Sequence, residues 1–384
     1  MRIYLDNAAT SWPKPEAVYA ALDKFQREVG AAAGRGGYRD AVEAQRVVAS
    51  ARREIAALVG AADPSRIVFG GNGSDALNLA IHGTLRPGDH VVATVCDHNS
   101  VLRPLAEQTR TNNVSVTYVG CDGAGYVSPD DVRAAIRPNT RLVVVTHGSN
   151  VTGAIQPLAE IADAAKAAGA LVAVDAAQSA GHVGIDVARL RVDLLAASGH
   201  KGLLGPAGTG FLYVAPGVES CLRPIRQGGT GVESQLDHMP EELPTRYEAG
   251  SLNAPALAGL AAAVRYLREQ SIGEIAAHEA MIVDRLVDGL RAISGVRVYG
   301  PGPGQPRGPV VSFSVGGYDP QEFAAALDAA SGVQCRAGLH CAPRMHEALG
   351  TSPLGGTVRM SPGWATTPAQ VDRALEAVAA IAGA

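Results

Sequence analysis

The sequence predicts an α/β fold, in which a doubly wound, mostly parallel sheet is followed by a smaller C-terminal α+β domain. Between Ile67 and Lys201, apolar segments of strand length alternate with helical segments, which is typical of parallel strands joined by crossover helices. One of these strands, residues 141–147, is apolar almost without interruption, and this indicates burial on both faces of a sheet. Beyond Pro255 the pattern changes to long helices rich in Ala and Leu, which predicts the second domain.

Two helices are expected before the sheet. An amphipathic pattern predicts the first from residue 15 to about residue 29. The small, glycine-rich residues 30–37 are expected to form a flexible loop. A second, longer helix is predicted from about residue 40 to residue 59, where Gly60 ends it.

The strands of the main sheet are predicted from short apolar segments bounded by turns. They cover residues 66–69, 91–95, 115–119, 141–147, 170–174, 193–197 and 208–214, and the last is expected to run antiparallel. The C-terminal region is expected to contain helices over residues 255–267 and 274–293, strands over 296–299, 310–315 and 356–361, and a last helix from residue 368. We expect a large domain over residues 15–254 and a small domain formed by residues 1–14 and 255–384.

Composition and charge exclude several classes of function. Charged residues make up 18% of the 384 residues and the net charge is −4, so the sequence predicts no basic surface for nucleic acid or an anionic membrane. The N-terminus lacks an apolar signal segment and no long uncharged apolar stretch follows, so we expect a cytoplasmic protein without a membrane span. The 5 cysteines are scattered, which favours a reducing compartment, and no ligand-spaced cluster predicts a metal site.

Two charged residues that follow buried strands are the first candidates for chemistry. Lys201 stands in the turn after residues 193–197, and Asp175 directly follows residues 170–174. Burial lowers the pKa of a lysine and leaves a nucleophilic amine that can form a Schiff base with an aldehyde. Pyridoxal 5'-phosphate needs such a lysine together with a carboxylate that keeps its ring nitrogen protonated. Lys201 alone would more often be a solvated loop residue, but its pairing with Asp175 favours the cofactor.

A glycine-rich loop predicts a phosphate site. Residues 70–76 lead from a strand into a helix, and the unpaired amides of a helix N-terminus can bind an anion. Two alternatives are open at this point. Ser74 could be a helix N-cap without a ligand, or the glycines could belong to a dinucleotide fingerprint in which Asp97 binds ribose. The dinucleotide interpretation does not account for Lys201.

The motif Val174-Asp175-Ala176-Ala177-Gln178, followed by Ser198-Gly199-His200-Lys201, resembles the class V aminotransferase family of pyridoxal-phosphate enzymes. Within that family it is similar to the cysteine desulfurases of the SufS-like and selenocysteine-lyase-like branch, and the likeness extends from Tyr4-Leu5-Asp6-Asn7-Ala8-Ala9-Thr10 to the last helix. The resemblance implies a pyridoxal-phosphate-dependent homodimer of fold type I. It further implies conversion of L-cysteine, or a related thiol or selenol amino acid, with the sulfur passed to a protein acceptor.

The resemblance also implies a role for individual residues. Lys201 would form the Schiff base and act as the base, Asp175 would hold the ring nitrogen, and His98 would stack on the ring. Without the resemblance, His98 would be interpreted as an ordinary loop histidine. The other implied contacts are Gly73, Ser74, Ser198 and His200 to the phosphate, Ser251 to the phosphate of the neighbouring subunit, Asn150 and Gln178 near the phenolic oxygen, and Asn150 with Arg359 to the substrate.

The C-terminal region contributes two further candidates. Cys341 follows His340 on a loop flanked by Gly and Pro, which favours a reactive thiolate, and the resemblance implies that it attacks the substrate sulfur. Arg359 lies in an apolar strand, where its planar guanidinium would suit a substrate carboxylate, and an internal salt bridge is an equal alternative. The sequence differs from common relatives at Leu339 and Tyr38, where histidine often stands, so proton transfer and the preferred substrate stay open.

Other functions stay open on the sequence alone. Within the same fold they are a selenocysteine lyase, a C–S lyase for a larger thiol substrate, and an aminotransferase, which has no need of Cys341. A non-catalytic, cofactor-free scaffold dimer and a nucleotide-binding oxidoreductase belong to other classes. The combination of Lys201, Asp175 and His98 argues against both.

Overall fold

The structure is a computed structural model that describes residues 2–34 and 36–383, so Arg35 of the predicted glycine-rich loop lies outside the described residues. The α-helices are α1 (Glu16–Lys24), α2 (Arg39–Val59), α3 (Gly73–Thr84), α4 (Asn99–Asn112), α5 (Pro129–Ala135), α6 (Leu158–Ala167), α7 (Ala254–Gln270), α8 (Ile272–Ala292), α9 (Pro320–Ser331), α10 (Pro343–Ala348) and α11 (Pro368–Ala382). The strands are β1 (Ile3–Tyr4), β2 (Ile67–Gly70), β3 (His90–Thr94), β4 (Ser115–Val119), β5 (Thr140–Thr146), β6 (Leu171–Asp175), β7 (Leu194–Ser198), β8 (Gly210–Val214), β9 (Val296–Tyr299), β10 (Val311–Val315), β11 (Val333–Gln334), β12 (Arg336–Gly338) and β13 (Thr357–Met360).

The predicted α/β fold with a mostly parallel sheet is confirmed. The main sheet has the strand order β2-β8-β7-β6-β5-β3-β4, and the pairs among β7, β6, β5, β3 and β4 are parallel. As predicted, β8 runs antiparallel, and it does so to both of its neighbours. Because β3, β5, β6 and β7 run in the same direction, their carboxyl ends lie along one edge of the sheet.

The main sheet is buried on both faces. Val143 and Val145 of β5 point into one hydrophobic core, whereas Leu142 and Val144 point into the other. This alternation follows from the two-residue period of a strand, and it explains why β5 is apolar almost throughout. A sheet buried in this way can present polar side chains to solvent only at the ends of its strands.

A second sheet has the order β12-β13-β10-β9 and is antiparallel throughout. The N-terminal strand β1 pairs with β11, so residues 3–4 lie beside this C-terminal region. Helix α7, which begins at the expected domain boundary, packs against α1 and α2, and its Leu257, Leu260 and Leu267 are buried in a core of the main sheet. The helix expected to end near residue 29 continues from α1 through a π-helical turn over Phe25–Val29.

The observed bounds of the predicted strands differ from the expected ones by at most two residues. Helices α9 and α10 and the short strands β1, β11 and β12 were not predicted. None of the helices among the described residues is both long and apolar enough to cross a membrane. Within the same residues, no group of three His, Cys, Asp or Glu side chains could hold a metal ion, and the cysteines are free thiols.

Candidate active site

The carboxyl ends of the main-sheet strands and the N-terminus of α3 surround one pocket. The residues predicted for the cofactor that line it are Gly73, Ser74, His98, Asn150, Asp175, Gln178, Ser198, His200 and Lys201. The pocket is also lined by Asn72, Leu77, Ser100, Thr146, Gly148 and Ala177, which were not predicted. The structure therefore brings together residues that are spread over more than a hundred positions of the chain.

Lys201 and Asp175 lie in this pocket with opposite shifts of their pKa values. Burial lowers the pKa of Lys201, and the charge of Asp175 counteracts that shift. Burial raises the pKa of Asp175, whose carboxylate accepts a hydrogen bond from the amide of Ala177 at 2.9 Å. The environment therefore favours a neutral, nucleophilic amine, and Lys201 is not the solvated loop residue considered as the alternative.

The predicted phosphate end is formed by the start of α3. The helix begins at Gly73, so its N-terminus lies beside the pocket. Asn72 is the N-cap and accepts from the amide of Asp75 at 2.9 Å, so the alternative of Ser74 as the cap is wrong. The amide of Gly73 donates to Ser198 Oγ at 3.1 Å, and a Cβ on Gly73 would lie 2.6 Å from that oxygen. A side chain at position 73 would therefore force Ser198 Oγ to move.

His98 is the N-cap of α4. Its Nδ1 accepts from the amide of Ser100 at 3.0 Å, which fixes the ring at the edge of the pocket. Ser100 Oγ in turn lies 2.6 Å from Ser74 Oγ, so the two helix starts are joined by a hydrogen bond. Burial lowers the pKa of His98 to about 4, with a further contribution from the charge of Lys201. The ring is therefore a neutral imidazole that can pack face-on against an aromatic ligand.

The pKa of His98 leads to a prediction about pH. Because the pKa is lowered to about 4, His98 is already neutral throughout the range from about pH 5.5 to 8 in which ordinary histidines titrate. We expect the pH profile of kcat/KM for the reaction catalysed in this pocket to have the same shape in wild type and in His98→Gln over that range, although the variant is slower. An inflection near pH 6.5 that is present in wild type and lost in His98→Gln would contradict this expectation.

Asn150 and Gln178 both connect the pocket to distant parts of the chain. Gln178 Nε2 donates to the carbonyl of Ala8 at 2.8 Å, so the N-terminal segment passes over the pocket. Asn150 Nδ2 donates to the carbonyl of His340 at 2.6 Å, and its Oδ1 is buried without a partner among the described residues. A buried acceptor without a hydrogen-bond donor lowers the stability of the fold. Asn150 Oδ1 is therefore available to accept a hydrogen bond from an N–H group of a ligand.

Cys341 lies on a turn beside the pocket. His340 and Cys341 adopt φ angles of 48° and 61°, a left-handed conformation that side chains other than Gly and Asn rarely take. The carbonyl of Cys341 accepts from the amide of Asn99 at 2.7 Å, which docks the turn onto α4. Cys341 opens into a surface depression that shares Ser74, His98 and Ser100 with the pocket.

The histidine beside Cys341 does not contact its thiol. His340 Nε2 donates to the carbonyl of Thr357 at 3.1 Å, and its ring is buried away from the turn. Arg336 Nη2 instead donates to Cys341 Sγ at 3.5 Å. Arg336, and not His340, is therefore the charged neighbour of the Cys341 thiol. Leu339 and Tyr38 are both exposed, so neither replaces a buried histidine in this structure.

Arg359 is 1% exposed and is held by main-chain and side-chain partners. Its Nη2 donates to Asp6 Oδ1 at 2.8 Å, and its Nη1 donates to the carbonyl of Asn150 at 3.1 Å. Its Nε is buried without a partner among the described residues. The salt bridge considered as an alternative therefore exists, and one N–H of the guanidinium still lacks an acceptor.

Ser251 lies apart from the pocket. It is exposed and lines a separate depression with Gly71 and Arg226. The segment that carries it is anchored by Glu248, whose carboxylate accepts from Arg52 Nη1 and Nη2 at 2.8 and 2.9 Å and from the amide of Phe69 at 2.6 Å. The chain by itself does not bring Ser251 to its own pocket.

The Arg52–Glu248 pair predicts a large effect on stability. Both side chains are buried, so Arg52→Met would leave an uncompensated carboxylate and is expected to lower the free energy of unfolding by about 3 kcal/mol. Arg27→Met, which breaks an exposed pair with Asp23, is the matched control and is expected to change it by about 0.5 kcal/mol or less. Urea unfolding at equal protein concentration measures the free energy of unfolding of both variants. Equal losses of this free energy in Arg52→Met and Arg27→Met would contradict the prediction.

The acid considered for ribose binding in a dinucleotide site is not available. Asp97 is fully buried and accepts from the amide of Thr94 at 2.7 Å and from the amide and hydroxyl of Thr146 at 3.0 and 2.8 Å. It therefore joins the ends of β3 and β5 beneath the pocket. This position removes the main support for the oxidoreductase alternative.

Sequence reasoning missed Ser100, Thr146, Arg336 and Asp6. Ser100 could have been found, because it stands two residues after His98 at a predicted helix start. Arg336 carried a weaker signal, as the first residue of the motif that contains Cys341. Asp6 carried none, because its partner Arg359 is more than 350 positions away.

The chain is similar to known proteins over nearly its whole length. The model of the aminotransferase class-V family matches residues 3–374. A probable cysteine desulfurase of Methanothermobacter thermautotrophicus is 37% identical over 99% of this chain and 95% of its own length. The probable cysteine desulfurase 2 of Mycobacterium leprae is 35% identical over 98% of this chain and 90% of its own length.

Solved structures show the same similarity. The apo structure of a cysteine desulfurase from Thermococcus onnurineus superposes with a TM-score of 0.92 at 33% identity, covering 100% of this chain and 95% of that one. The cysteine desulfurase CsdA of Escherichia coli, in its S-sulfonic acid form, gives 0.88 at 28% identity, covering 98% and 94%. The resemblance stated from the motifs is therefore confirmed, and this chain belongs to the class-V aminotransferase family.

Proposed function

We propose that this chain is a pyridoxal-phosphate-dependent cysteine desulfurase that converts L-cysteine to L-alanine and takes the sulfur as a persulfide on Cys341. The observation that carries the proposal is the joining of two sites. The pocket with Lys201 and Asp175 and the depression with Cys341 share three lining residues, Ser74, His98 and Ser100. A substrate bound in the pocket can therefore present its sulfur to the thiol.

The residues of the pocket fit pyridoxal phosphate. Its aldehyde matches the buried amine of Lys201, its ring nitrogen the carboxylate of Asp175, and its phosphate the amides at the start of α3 with Ser198 and His200. A Cβ at position 73 would lie 2.6 Å from Ser198 Oγ, so glycine at this position lets the start of α3 approach the end of β7 closely. When bound, the cofactor supplies a protonated ring that withdraws electrons from the substrate Cα.

The residues of the chain then bind, orient and move protons. Lys201, whose pKa is lowered by burial, removes the Cα proton and later returns a proton to the product. Arg359 Nε and Asn150 Oδ1 are buried without partners among the described residues, so they are available to bind the substrate carboxylate and the substrate amine, respectively. His98 stays neutral and covers one face of the ligand.

Cys341 performs the transfer of sulfur. Its Sγ, which accepts from Arg336 Nη2 at 3.5 Å, attacks the substrate sulfur, so that an S–S bond forms while the C–S bond breaks and its electron pair stays with carbon. The left-handed turn that carries Cys341 is docked on Asn99 and Asn150, which holds the thiol at the edge of the pocket. The persulfide is then available to a protein acceptor from the open depression.

The proposal includes a cytoplasmic homodimer. Ser251 is exposed and lies outside its own pocket, so its expected contact with phosphate requires a second subunit. We retain the division into residues 15–254 and residues 1–14 with 255–384, with the pocket mainly on the first and the Cys341 turn and Arg359 on the second. The pairing of β1 with β11 supports the assignment of the N-terminal residues.

The test is a measurement of products. Cofactor-loaded protein is mixed with L-cysteine and a reductant, and alanine, sulfide and pyruvate are quantified together. Equal amounts of alanine and sulfide support the proposal. Pyruvate with sulfide would identify an eliminating C–S lyase, and turnover of selenocysteine but not cysteine would identify a selenocysteine lyase. Amino transfer to a keto acid without release of sulfide would identify an aminotransferase.

A further inference from the structure

The position of Asp6 beside Arg359 is not explained by the roles assigned so far. Asp6 Oδ1 accepts from Arg359 Nη2 at 2.8 Å, and the two side chains are 23% and 1% exposed. Asp6 is thus the solvent-accessible member of a pair whose cation is buried. Burial lowers the pKa of Arg359, and Asp6 is the acid that counteracts this shift most strongly.

The backbone holds Asp6 firmly in this position. Residue 6 forms a parallel bridge with Ser361, which directly follows the end of β13 and stands two residues after Arg359. The amide of Asn7 donates to the carbonyl of Ser361 at 3.1 Å, and the amide of Ser361 donates to the carbonyl of Leu5 at 2.7 Å. Asp6 therefore has a fixed register against β13, and its contact with Arg359 follows from that register rather than from a chance side-chain rotamer.

The same segment continues toward the pocket. Two residues after Asp6, the carbonyl of Ala8 accepts from Gln178 Nε2 at 2.8 Å, and Gln178 lines the pocket. The segment that carries Asp6 therefore connects Arg359 with Gln178, a residue of the pocket wall. A substrate carboxylate that binds Arg359 must share the guanidinium with Asp6, and two carboxylates on one guanidinium repel each other.

We infer that Asp6 is a positioning residue that acts through Arg359 and weakens the hold of Arg359 on the carboxylate of both the substrate and the product amino acid. This inference rests on the proposed function in assigning Arg359 to the substrate carboxylate. Substrate and product both carry that group, so Asp6 acts on the binding of both alike. Interactions of this uniform kind change KM and product affinity without accelerating the chemical step.

The variant Asp6→Asn tests the inference, because it keeps an oxygen acceptor for Arg359 and removes the negative charge. We expect the dissociation constant of L-alanine for the cofactor-loaded protein, measured by calorimetry, to fall about fivefold. KM for L-cysteine is expected to fall by a similar factor, while kcat is unchanged or lower. Binding of ethylamine, which is alanine without its carboxyl group, is expected to stay the same.

Two matched variants complete the experiment. Asp6→Glu keeps the charge and is expected to bind L-alanine as wild type does. Asp372→Asn removes a charge from an exposed pair with Arg285 and is expected to have no effect. If Asp6→Asn does not yield folded protein, Asp6→Ser is tested in its place and is likewise expected to bind L-alanine more tightly than wild type.

Weaker or unchanged binding of L-alanine by Asp6→Asn would overturn the inference. An equal gain in L-alanine affinity in Asp6→Asn and Asp372→Asn would also overturn it. Failure of the proposed function would be visible separately, as the absence of alanine and sulfide from wild-type protein. Binding of L-alanine and ethylamine is measured without turnover, so it tests Asp6 in either case.

Discussion

Lys201→Ala is expected to lower the rate of alanine formation from L-cysteine by about 1,000-fold or more. Lys201 is the lysine whose side chain lines the pocket beside Asp175, and burial lowers its pKa toward the neutral, nucleophilic form. Loss of its amine would remove both the covalent attachment of the cofactor and the base that moves the Cα proton. No other lysine lines this pocket among the described residues.

The measurement has a readout besides activity. Borohydride treatment of cofactor-loaded wild type should leave the cofactor mass on the peptide that contains Lys201, and the visible absorbance of the bound cofactor should be altered in Lys201→Ala. Lys24→Ala, at an exposed position of α1, is the matched control and should behave as wild type. Trapping of the cofactor on a different lysine would show that the assignment of Lys201 is wrong.

Cys341→Ala is expected to lower the formation of alanine and sulfide by about 100-fold or more while the cofactor stays bound. Cys341 contacts Arg336 and opens into the depression beside the pocket, but it does not line the pocket itself. The variant should therefore separate sulfur transfer from cofactor binding. The sulfur of the first turnover should appear in wild type as a mass increase of one sulfur atom on the Cys341 peptide.

A second cysteine provides the control. Burial raises the pKa of Cys335 to about 12, so its thiol stays protonated, and Cys335→Ala should keep the capacity to form alanine and the persulfide. Pyruvate and sulfide produced at the wild-type rate by Cys341→Ala would instead indicate an elimination that needs no thiol. Such a result would replace desulfuration through a persulfide by C–S lyase chemistry.

The main sheet and most of the pocket could be predicted because they depend on local patterns. Residues that follow parallel strands meet at one edge of the sheet, so Asp175, Ser198 and Lys201 come together once the strands are recognised. Gly73 could likewise be assigned to a phosphate-binding loop, because it lies in a glycine-rich segment between a strand and a helix. These inferences need only the period of a strand and the order of the elements.

Contacts between distant segments could not be predicted in the same way. His340, next to Cys341 in the chain, turns out to bond Thr357, while Arg336 reaches the thiol because β12 leads into the left-handed turn. Likewise Asn72, rather than Ser74, proves to be the N-cap of α3. The neighbour of the Cys341 thiol and the N-cap of α3 both depend on the direction in which a side chain points. That direction is set by the backbone of the turn that carries the side chain.

The sequence by itself determined the strand and helix alternation, the type of sheet, the identity of the lysine and carboxylate at its edge, and the cysteine and arginine of the C-terminal region. The tertiary structure alone decided that Asp6 pairs with Arg359, that Asp97 is buried beneath the pocket, and that Ser251 lies outside it. The physical reason is that periodicity and capping act over a few residues. Pairing and burial of charges are instead set by which distant strands pack together, and the hydrophobic cores decide that only when the whole chain has folded.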